Sequence, residues 1–247
     1  MEYKISVISV YNNQNEFDTK LKKSLEQQDI RYELIALDNT RNRFKSASEA
    51  LNYGAKKATG DILVFSHQDI SLKGKSELRR FVKAIESCQI GDIIGTQGVR
   101  EKSKKIYSNI TAGQTYDSTF LNDYSEELIE VANVDEGFFG MKRETFEEKE
   151  FDEVICNNWH LYCVERVLYA RKNGHKVYVA PIQLHHYSYG RISISYMRNL
   201  KELCRKYRRN FKYIWTTCYK VRTNPVYINL LVDIWILNRK LRGRSLT

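Results

Sequence analysis

Three apolar runs in the first 70 residues each end in a cluster of polar side chains. The runs are residues 4–10 (KISVISV), 32–37 (YELIAL) and 62–65 (ILVF). Such runs are typical of strands buried on both faces of a parallel or mixed sheet. Stretches with apolar residues at helical spacing separate them, at residues 16–28 and 46–58. This alternation predicts an α/β fold with a doubly wound, mostly parallel central sheet.

The polar clusters mark a candidate ligand site. In open α/β sheets, ligands bind at the carboxyl ends of the strands. Asp69 follows the third run, where a carboxylate can hold a metal ion and a diphosphate, although a helix cap or a turn would also explain it. We predict a nucleotide crevice lined by the residues at the three strand ends, which are Tyr11, Asn12, Asp38, Asn39, His67, Gln68 and Asp69.

An ordered set of segments resembles a known family. The segments are ISVISVYNN, LIALDNT, SASEALNYGAKKATGDILVFSHQDI, VDEGFFGMKRETF, FDE, NWHLY and VYVAPIQLHH, and they cover roughly residues 3–190. In this order they resemble bacterial family 2 glycosyltransferases of the GT-A fold. The closest resemblance is to the subgroup in which His-Gln-Asp replaces Asp-x-Asp. The resemblance implies a GT-A catalytic domain at residues 1–190. The pattern of the remaining residues predicts a basic, aromatic-rich helical C-terminal extension at residues 191–247.

The resemblance also implies roles at the donor site. Tyr11 would pack against the nucleotide base, and Asp38 would accept a hydrogen bond from it. A carboxylate can accept from the imide N–H of uracil, so a UDP-sugar is the expected donor. Asn52 and Lys56 lie one helical turn apart, and they face the crevice if their helix is placed as in the family.

A Mn²⁺ or Mg²⁺ ion is the expected cofactor. Asp69 is the first predicted ligand, and the resemblance implies that a histidine at 185 or 186 completes the site. Neighbouring side chains on an extended segment point in opposite directions, so only one of the pair should bind, and we favour His186. His67 stands where relatives have Asp. It either contributes imidazole to the site, which would favour Mn²⁺, or supports the loop.

The general base is not fixed by the sequence. Relatives carry an acidic residue in the first turn of the helix that we expect at residues 157–171, and Cys163 occupies that position here. A thiol is a poor base for a sugar hydroxyl. The remaining candidates are His160, which has a suitable intrinsic pKa, and the carboxylates of Glu165, Asp135 and Glu136.

By resemblance, the reaction would be an inverting single displacement that transfers a sugar to a hydroxyl group. The acceptor would be a glycan or a lipid-linked oligosaccharide for capsule or another surface polysaccharide. Residues 100–130, where family members vary to fit their acceptor, are polar and carry Tyr107, Tyr116 and Tyr124.

Positive charge is concentrated in the last quarter of the chain. Residues 187–247 carry fourteen Lys and Arg against Glu202 and Asp233, a net charge of +12, whereas the whole chain carries +10. Basic residues interleaved with Tyr and Trp predict a segment that lies on an anionic membrane. A helical pair that packs on the domain or in a dimer is an alternative. Nucleic-acid binding also fits the composition, but no nucleic-acid module is recognisable.

Composition predicts a cytoplasmic protein that is peripheral at the inner face of the cell membrane. The five cysteines form no CxxC pair, which favours a reducing compartment over a disulfide or zinc framework. The N-terminus lacks a signal-peptide pattern. No run reaches the ~20 apolar residues that would span a bilayer.

Two other functions compete with glycosyl transfer. A nucleotidyltransferase would need a Gly-rich, basic phosphate loop after the first strand, and VYNNQNEF lacks it. A non-catalytic protein that binds nucleotide-sugars or glycans would be consistent with Cys163 at the position of the base.

Overall fold

The computed structural model describes residues 3–101, 105–113, 127–188, 190 and 192–243. Within these ranges the α-helices are α1 (Gln14–Phe17), α2 (Lys23–Leu25), α3 (Ala47–Lys57), α4 (Glu77–Ser87), α5 (Arg143–Glu148), α6 (Tyr162–Lys172), α7 (Ile194–Tyr207) and α8 (Pro225–Leu241). A π-helical segment, Asp18–Lys22, joins α1 to α2. The strands are β1 (Ile5–Tyr11), β2 (Glu33–Asp38), β3 (Ile62–Ser66), β4 (Ile70–Leu72), β5 (Ile93–Gly95), β6 (Gln97–Val99), β7 (Ile106–Ser108), β8 (Ile110–Ala112), β9 (Ile129–Glu130), β10 (Asn133–Val134), β11 (Phe138–Lys142), β12 (Val177–Val179), β13 (Leu184–His186), β14 (Tyr213–Trp215) and β15 (Lys220–Arg222).

A seven-stranded sheet forms the centre, in the order β2-β1-β3-β11-β5-β12-β9. Strand β1 pairs in parallel with β2 and β3, and β5 pairs in parallel with β12. Strands β11 and β9 run against their neighbours, so five of the seven strands share one direction. The α/β class with a mostly parallel central sheet is therefore confirmed.

The apolar runs form the middle of this sheet because both faces of each strand are covered. In β1, Val7 and Ile8 are both fully buried but face different hydrophobic clusters. In β3, Leu63 and Val64 alternate in the same way. Helices on both faces give the sheet its doubly wound character.

Helix α3 lies within a residue of the predicted segment at residues 46–58, and Ser46 caps it by accepting from the Glu49 N–H. Helix α6 begins at Tyr162, five residues after the predicted start at Asn157. Leu161 has a φ of 70°, which an α-helix cannot accommodate. The Asn158 carbonyl instead accepts from the Ala47 N–H of α3 at 3.0 Å. The segment before α6 is therefore an ordered loop.

The C-terminal part differs from the predicted all-helical tail. Helix α7 ends at Tyr207, and β14 pairs with β15 in an antiparallel hairpin before Pro225 begins α8. Residues of α7 such as Met197 and Leu200 belong to the same hydrophobic cluster as Phe139 of the central sheet. The division at residue 190 stays a prediction, while the hydrophobic core continues across it. None of the helices in the described ranges combines the length and apolar character that a membrane span requires.

Candidate active site

The three predicted strand ends meet at one edge of the sheet. Tyr11, the last residue of β1, is in register with Asp38, the last residue of β2. Strand β3 lies on the other side of β1 and ends at Ser66, so the His-Gln-Asp triplet follows at the same edge. The parallel pairing of β1, β2 and β3 is thus what brings these distant residues together.

Gln68 ties the third strand end to the first. Its Oε1 accepts from the backbone N–H groups of Asn12 and Asn13, at 2.9 and 3.0 Å. Its Nε2 donates to the Asn12 Oδ1 at 2.8 Å. Because both carboxamide groups are used in this way, Gln68 and Asn12 fix the shape of the edge.

The side chains at the first two strand ends are held in place. The Tyr11 ring stacks on Phe17, with 4.6 Å between ring centroids. Asp38 accepts from the hydroxyl and the backbone N–H of Thr40, and these hydrogen bonds lower the pKa of its carboxyl group. The Asn39 carboxamide bonds the backbone of Phe44 in both directions. Asp38 is exposed to solvent.

A cluster of three possible metal ligands lies beside this edge. Strand β13 pairs with β4 so that His186 is opposite Ile70, and the His186 Nε2 lies 3.3 Å from the Asp69 Oδ1. One ligand atom each from His67, Asp69 and His186 lies within 4.8 Å of the others. Neighbouring ligands of a six-coordinate ion with bonds of ~2.1 Å are ~3 Å apart, and opposite ligands ~4.2 Å. The spacing and the mixed donors therefore suit a divalent ion.

Two of the three side chains, His67 and Asp69, have protonation states that suit a cation. Burial and the neighbouring His186 lower the pKa of His67 to about 4, so its imidazole is neutral near pH 7. Burial would raise the pKa of Asp69, but the hydrogen bond and charge of His186 outweigh it and hold this pKa below its ordinary value. Burial would lower the pKa of His186, but the hydrogen bond and charge of Asp69 raise it, so His186 must lose a proton to coordinate a metal ion. The Tyr162 hydroxyl contacts the His67 Nε2 at 3.1 Å and fixes the ring.

His185 lies on the opposite side of β13 from this cluster. It is fully buried, and its two ring nitrogens contact the Thr111 hydroxyl at 2.8 Å and the Gly113 carbonyl at 2.9 Å. The structure thus brings His186, and not His185, to Asp69. His185 connects β13 to β8, which places it behind the site.

Two cavities adjoin the cluster. The first, which we call the strand-end cavity, has a volume of about 270 Å³ and is lined by Tyr11, Asn12, Asn39, Gln68 and Asp69 together with Trp159. The second cavity has a volume of about 350 Å³ and is lined by Asp135, Glu136 and several aliphatic side chains. Three residues line both cavities, and these are His67, His160 and Ser188.

Glu136 is the least satisfied acidic side chain in the second cavity. Its Oε1 is buried and has no hydrogen-bond partner among the described residues, and its Oε2 lies 3.9 Å from the His160 Nδ1. Burial raises the pKa of Glu136, although His160 opposes that shift. Asp135, in contrast, accepts from the Gly137 N–H and the Thr217 hydroxyl, both at 3.0 Å. Glu136 therefore differs from Asp135 in having a buried carboxylate oxygen without a hydrogen-bond partner in the described part of the chain.

Other predicted site residues lie elsewhere. Glu165 is fully buried and accepts from Lys206 at 2.5 Å and from Tyr207 at 2.8 Å, away from both cavities. Cys163 is also fully buried, and burial raises the pKa of its thiol well above the ordinary value.

The predicted crevice residues of α3 also have other partners. The Asn52 carboxamide bonds the backbone of Phe151 and the Glu153 carboxylate. The Lys56 Nζ pairs with Glu150 at 2.8 Å on the surface. The structure thus places neither residue in the crevice.

The structure adds residues that the sequence did not single out. Trp159, 37% exposed, lines the strand-end cavity. Tyr196 of α7 and the turn at Thr216, Thr217 and Cys218 line the second cavity. Residues 105–113 of the predicted acceptor region form β7 and β8, and Ile106 and Ile110 also line this cavity. Tyr116 and Tyr124 lie outside the described residues.

Comparison with known proteins identifies the family of the chain. The model of a family described as "Glycosyltransferase like family" matches residues 6–211, most of the chain. No protein of curated function matches the chain. The chain therefore belongs to this glycosyltransferase family, as the ordered segments predicted.

Several solved glycosyltransferase structures share the fold. GalNAc-T7 with UDP, GalNAc and Mn²⁺ matches 81% of the chain at 13% identity and a TM-score of 0.58, but the chain spans only 48% of that protein. The mannosyltransferase PcManGT from Pyrobaculum calidifontis, with GDP-Man and Mn²⁺, matches 95% of the chain and 70% of its own length at 15% identity and a TM-score of 0.61. S. aureus TarS 1–349 with UDP-GlcNAc matches 96% of the chain and 72% of its own length, at 13% identity and a TM-score of 0.53. At these identities the likeness shows the GT-A fold.

Proposed function

We propose that this protein transfers a sugar from a nucleotide-diphosphate donor, a UDP-sugar, to a hydroxyl group of a glycan or lipid-linked oligosaccharide. The observation that carries the proposal is the position of the Asp69 and His186 pair beside two adjoining cavities. A transferase needs one site for the donor and one for the acceptor, with the leaving group between them. The shared lining residue His67 belongs to the metal-ligand cluster.

The strand-end cavity is the donor site in this proposal. Tyr11 packs near the base. Asp38 ends the adjacent strand β2 but does not line the cavity, contrary to the predicted crevice, and it would accept from the imide N–H of a uracil that extends beyond the cavity. The diphosphate lies towards Asp69. Trp159 offers an exposed aromatic face to the nucleotide or its sugar. Two of the three structures compared above contain a uridine nucleotide, and one contains a guanosine nucleotide.

Asp69 and His186, with His67, would hold a divalent cation, Mn²⁺ in preference to Mg²⁺. Such an ion acts as a Lewis acid that neutralises the charge of the departing diphosphate. The low pKa of Asp69 and the neutral His67 keep a carboxylate and an imidazole ready to coordinate. His185 supports these ligands through its contacts with β8.

Glu136 is the general base in this proposal, and the second cavity is the acceptor site. The unpartnered Oε1 of Glu136 can take the proton of an acceptor hydroxyl, which then attacks the anomeric carbon in an inverting single displacement. His160 positions Glu136 from the wall shared by the two cavities. Asp135 and Thr217, which are hydrogen-bonded to each other, would orient the acceptor in the second cavity.

The pathway is surface-polysaccharide synthesis, such as that of a capsule. In this proposal the protein acts in the cytoplasm, peripheral at the inner face of the cell membrane, where lipid-linked acceptors are found. The basic C-terminal part supports this placement because the inner leaflet is anionic.

A thermal-shift panel of UDP, GDP and dTDP, each with and without Mn²⁺, tests the donor proposal. A ligand that binds only the folded state raises the melting temperature by mass action. We expect UDP to stabilise the protein only when Mn²⁺ is present. Stabilisation by GDP or dTDP but not by UDP would leave the glycosyltransferase proposal in place and overturn the choice of a UDP-sugar as donor. No response to any nucleotide would contradict the transferase proposal.

A further inference from the structure

Helix α8 exposes a continuous apolar stripe. The stripe consists of residues spaced four, four, three and four apart, each between 46% and 76% exposed, and they are Val226, Leu230, Ile234, Leu237 and Leu241. At 100° per residue these side chains fall within a narrow arc of the helix. The opposite face carries the buried Ile228 and Val232, which pack into the hydrophobic core. Helix α8 is therefore anchored on one side and open on the other.

This concentration of apolar residues distinguishes α8 from the rest of the described surface. With Tyr227, α8 carries six of the ten large hydrophobic residues that are exposed in the described ranges. Large apolar patches on a soluble protein mark interaction sites, whereas single exposed residues need no explanation. The stripe thus requires an occupant.

Positive charge adjoins both ends of the stripe. At the C-terminal end, Lys240 and Arg242 are exposed. At the N-terminal end, a groove of about 570 Å³ runs up to Pro225, the first residue of α8. Four basic side chains line this basic groove together with neutral residues, and they are Arg208, Arg209, Lys212 and Arg222. Asp233 is the one acidic residue of α8 and lies at the edge of the stripe.

We propose that α8 lies flat on an anionic lipid bilayer, with its stripe among the acyl chains and the basic groove on lipid phosphates. An interfacial helix combines these two features, an apolar face and flanking cations. A second copy of the chain would bring two strongly basic surfaces together. Nucleic acid would satisfy the cations but leave the stripe in water. Only an anionic bilayer matches both the charge and the apolar face.

The membrane contact deepens the proposed function, since a lipid-linked acceptor would lie on the same surface. It requires neither a nucleotide nor turnover. A failed donor assay would therefore leave the membrane contact intact, and a failed vesicle assay would leave the donor site intact.

Vesicle co-flotation of the full chain tests the contact. Vesicles of phosphatidylcholine alone are compared with vesicles that contain about one third phosphatidylglycerol. The stripe variant is Leu230→Gln with Leu237→Gln, and its control is Val154→Gln, which changes an 82% exposed valine outside α8. The groove variant changes Arg208, Arg209 and Lys212 to Gln. Its charge-matched control changes the exposed residues Lys23, Lys83 and Lys172 to Gln.

We expect the wild type and both controls to float with anionic vesicles but not with neutral ones. Both test variants should lose at least about tenfold in bound fraction, and ~0.5 M salt should weaken wild-type binding because it screens the groove. Unchanged melting temperatures would show that the variants fold. Equal binding by the test variants and the wild type would overturn the proposal. The membrane proposal would also be overturned if the wild type bound no vesicles but formed a dimer, and the stripe variant were a monomer. The occupant of the stripe would then be a second copy of the chain.

Discussion

The two cavities of the active site are built in different ways. The strand-end cavity takes most of its walls from residues 10–69, where three parallel strands end side by side. The second cavity is lined by His67 and by residues between Gln97 and Cys218, which come from many separate segments. The proposed donor side is thus defined by local strand topology, and the proposed acceptor side by packing between distant parts of the chain. The predictions below test whether the two cavities have these separate roles.

Asp69→Asn should have the largest effect. It preserves the shape of the side chain but removes the charge that faces His186 at 3.3 Å. Loss of a metal ligand costs several kcal/mol of transition-state stabilisation, so we expect about a thousandfold lower kcat/KM. The assay is release of the nucleotide from the sugar donor. Asp18→Asn, a surface change in the π-helical segment, is the matched control and should retain activity.

Glu136→Gln should affect chemistry without affecting the donor site. A missing general base lowers the rate by about a hundredfold to a thousandfold, so kcat should fall while the affinity for UDP with Mn²⁺ stays constant. Glu86→Gln, on the exposed side of α4, is the control. A fall in UDP affinity equal to the fall in kcat would place Glu136 on the donor side instead.

The pH profile of kcat provides a second test of Glu136. A base must be ionised, and burial raises the pKa of Glu136 above its ordinary 4.5. Activity should therefore fall as the pH is lowered. The midpoint of this fall should lie at a higher pH than for a glutamate with an ordinary pKa. His160→Asn removes the group that lowers this pKa, so the acid limb should move to still higher pH. An acid limb that does not move would remove Glu136 from this role.

Lys206→Met should lower stability instead of activity. It leaves Glu165 buried without its cationic partner. Breaking a buried ion pair costs several kcal/mol, but Lys206 is about one-third exposed, so we expect about 2 kcal/mol less free energy of unfolding. Urea denaturation measures it. Unchanged stability with lost transfer activity would return Glu165 to the list of catalytic residues.

Thr217→Val should weaken the acceptor side only. It removes the hydroxyl that donates to Asp135 at 3.0 Å. A single hydrogen bond of this kind contributes about 1 kcal/mol, so the KM for the acceptor should rise about fivefold while the KM for the donor is unchanged. An increase in the donor KM would show that the two cavities do not act separately.

Lys56→Ala should have the smallest effect, because the Lys56 ammonium group pairs with Glu150 on the surface. Such a pair contributes at most about 1 kcal/mol to stability, and donor affinity should stay within about twofold of the wild type. A larger loss of donor affinity, measured by nucleotide titration, would restore the predicted role of Lys56 in the crevice.

The residues of the proposed donor side could be predicted from the sequence because strand periodicity and strand-end polarity are local signals. The apolar run of β3 followed by His67, Gln68 and Asp69 was enough to place Asp69 at the edge of the sheet. The alternation along β13 likewise showed that only one of His185 and His186 could face Asp69, and the structure places His186 there.

Most residues that line the proposed acceptor cavity could not be predicted from the sequence, because they follow no periodic pattern. The contact of Thr217 with Asp135 joins residues that are 82 positions apart. Helical spacing correctly places Glu165 on α6, but it cannot show that Lys206 and Tyr207 from α7 cover its carboxylate. The left-handed Leu161, which delays the start of α6 and frees the loop that carries His160, also has no local sequence signature.

Calorimetric titration of UDP tests the central claim most directly, namely that Asp69 and a metal ion hold the donor diphosphate in the strand-end cavity. The titration is run on the wild type with and without Mn²⁺, and on Asp69→Asn and Asp18→Asn with Mn²⁺. The account predicts binding to the wild type only when Mn²⁺ is present, equal binding to Asp18→Asn with Mn²⁺, and at least about tenfold weaker binding to Asp69→Asn. Equal UDP affinity in all four titrations would contradict it.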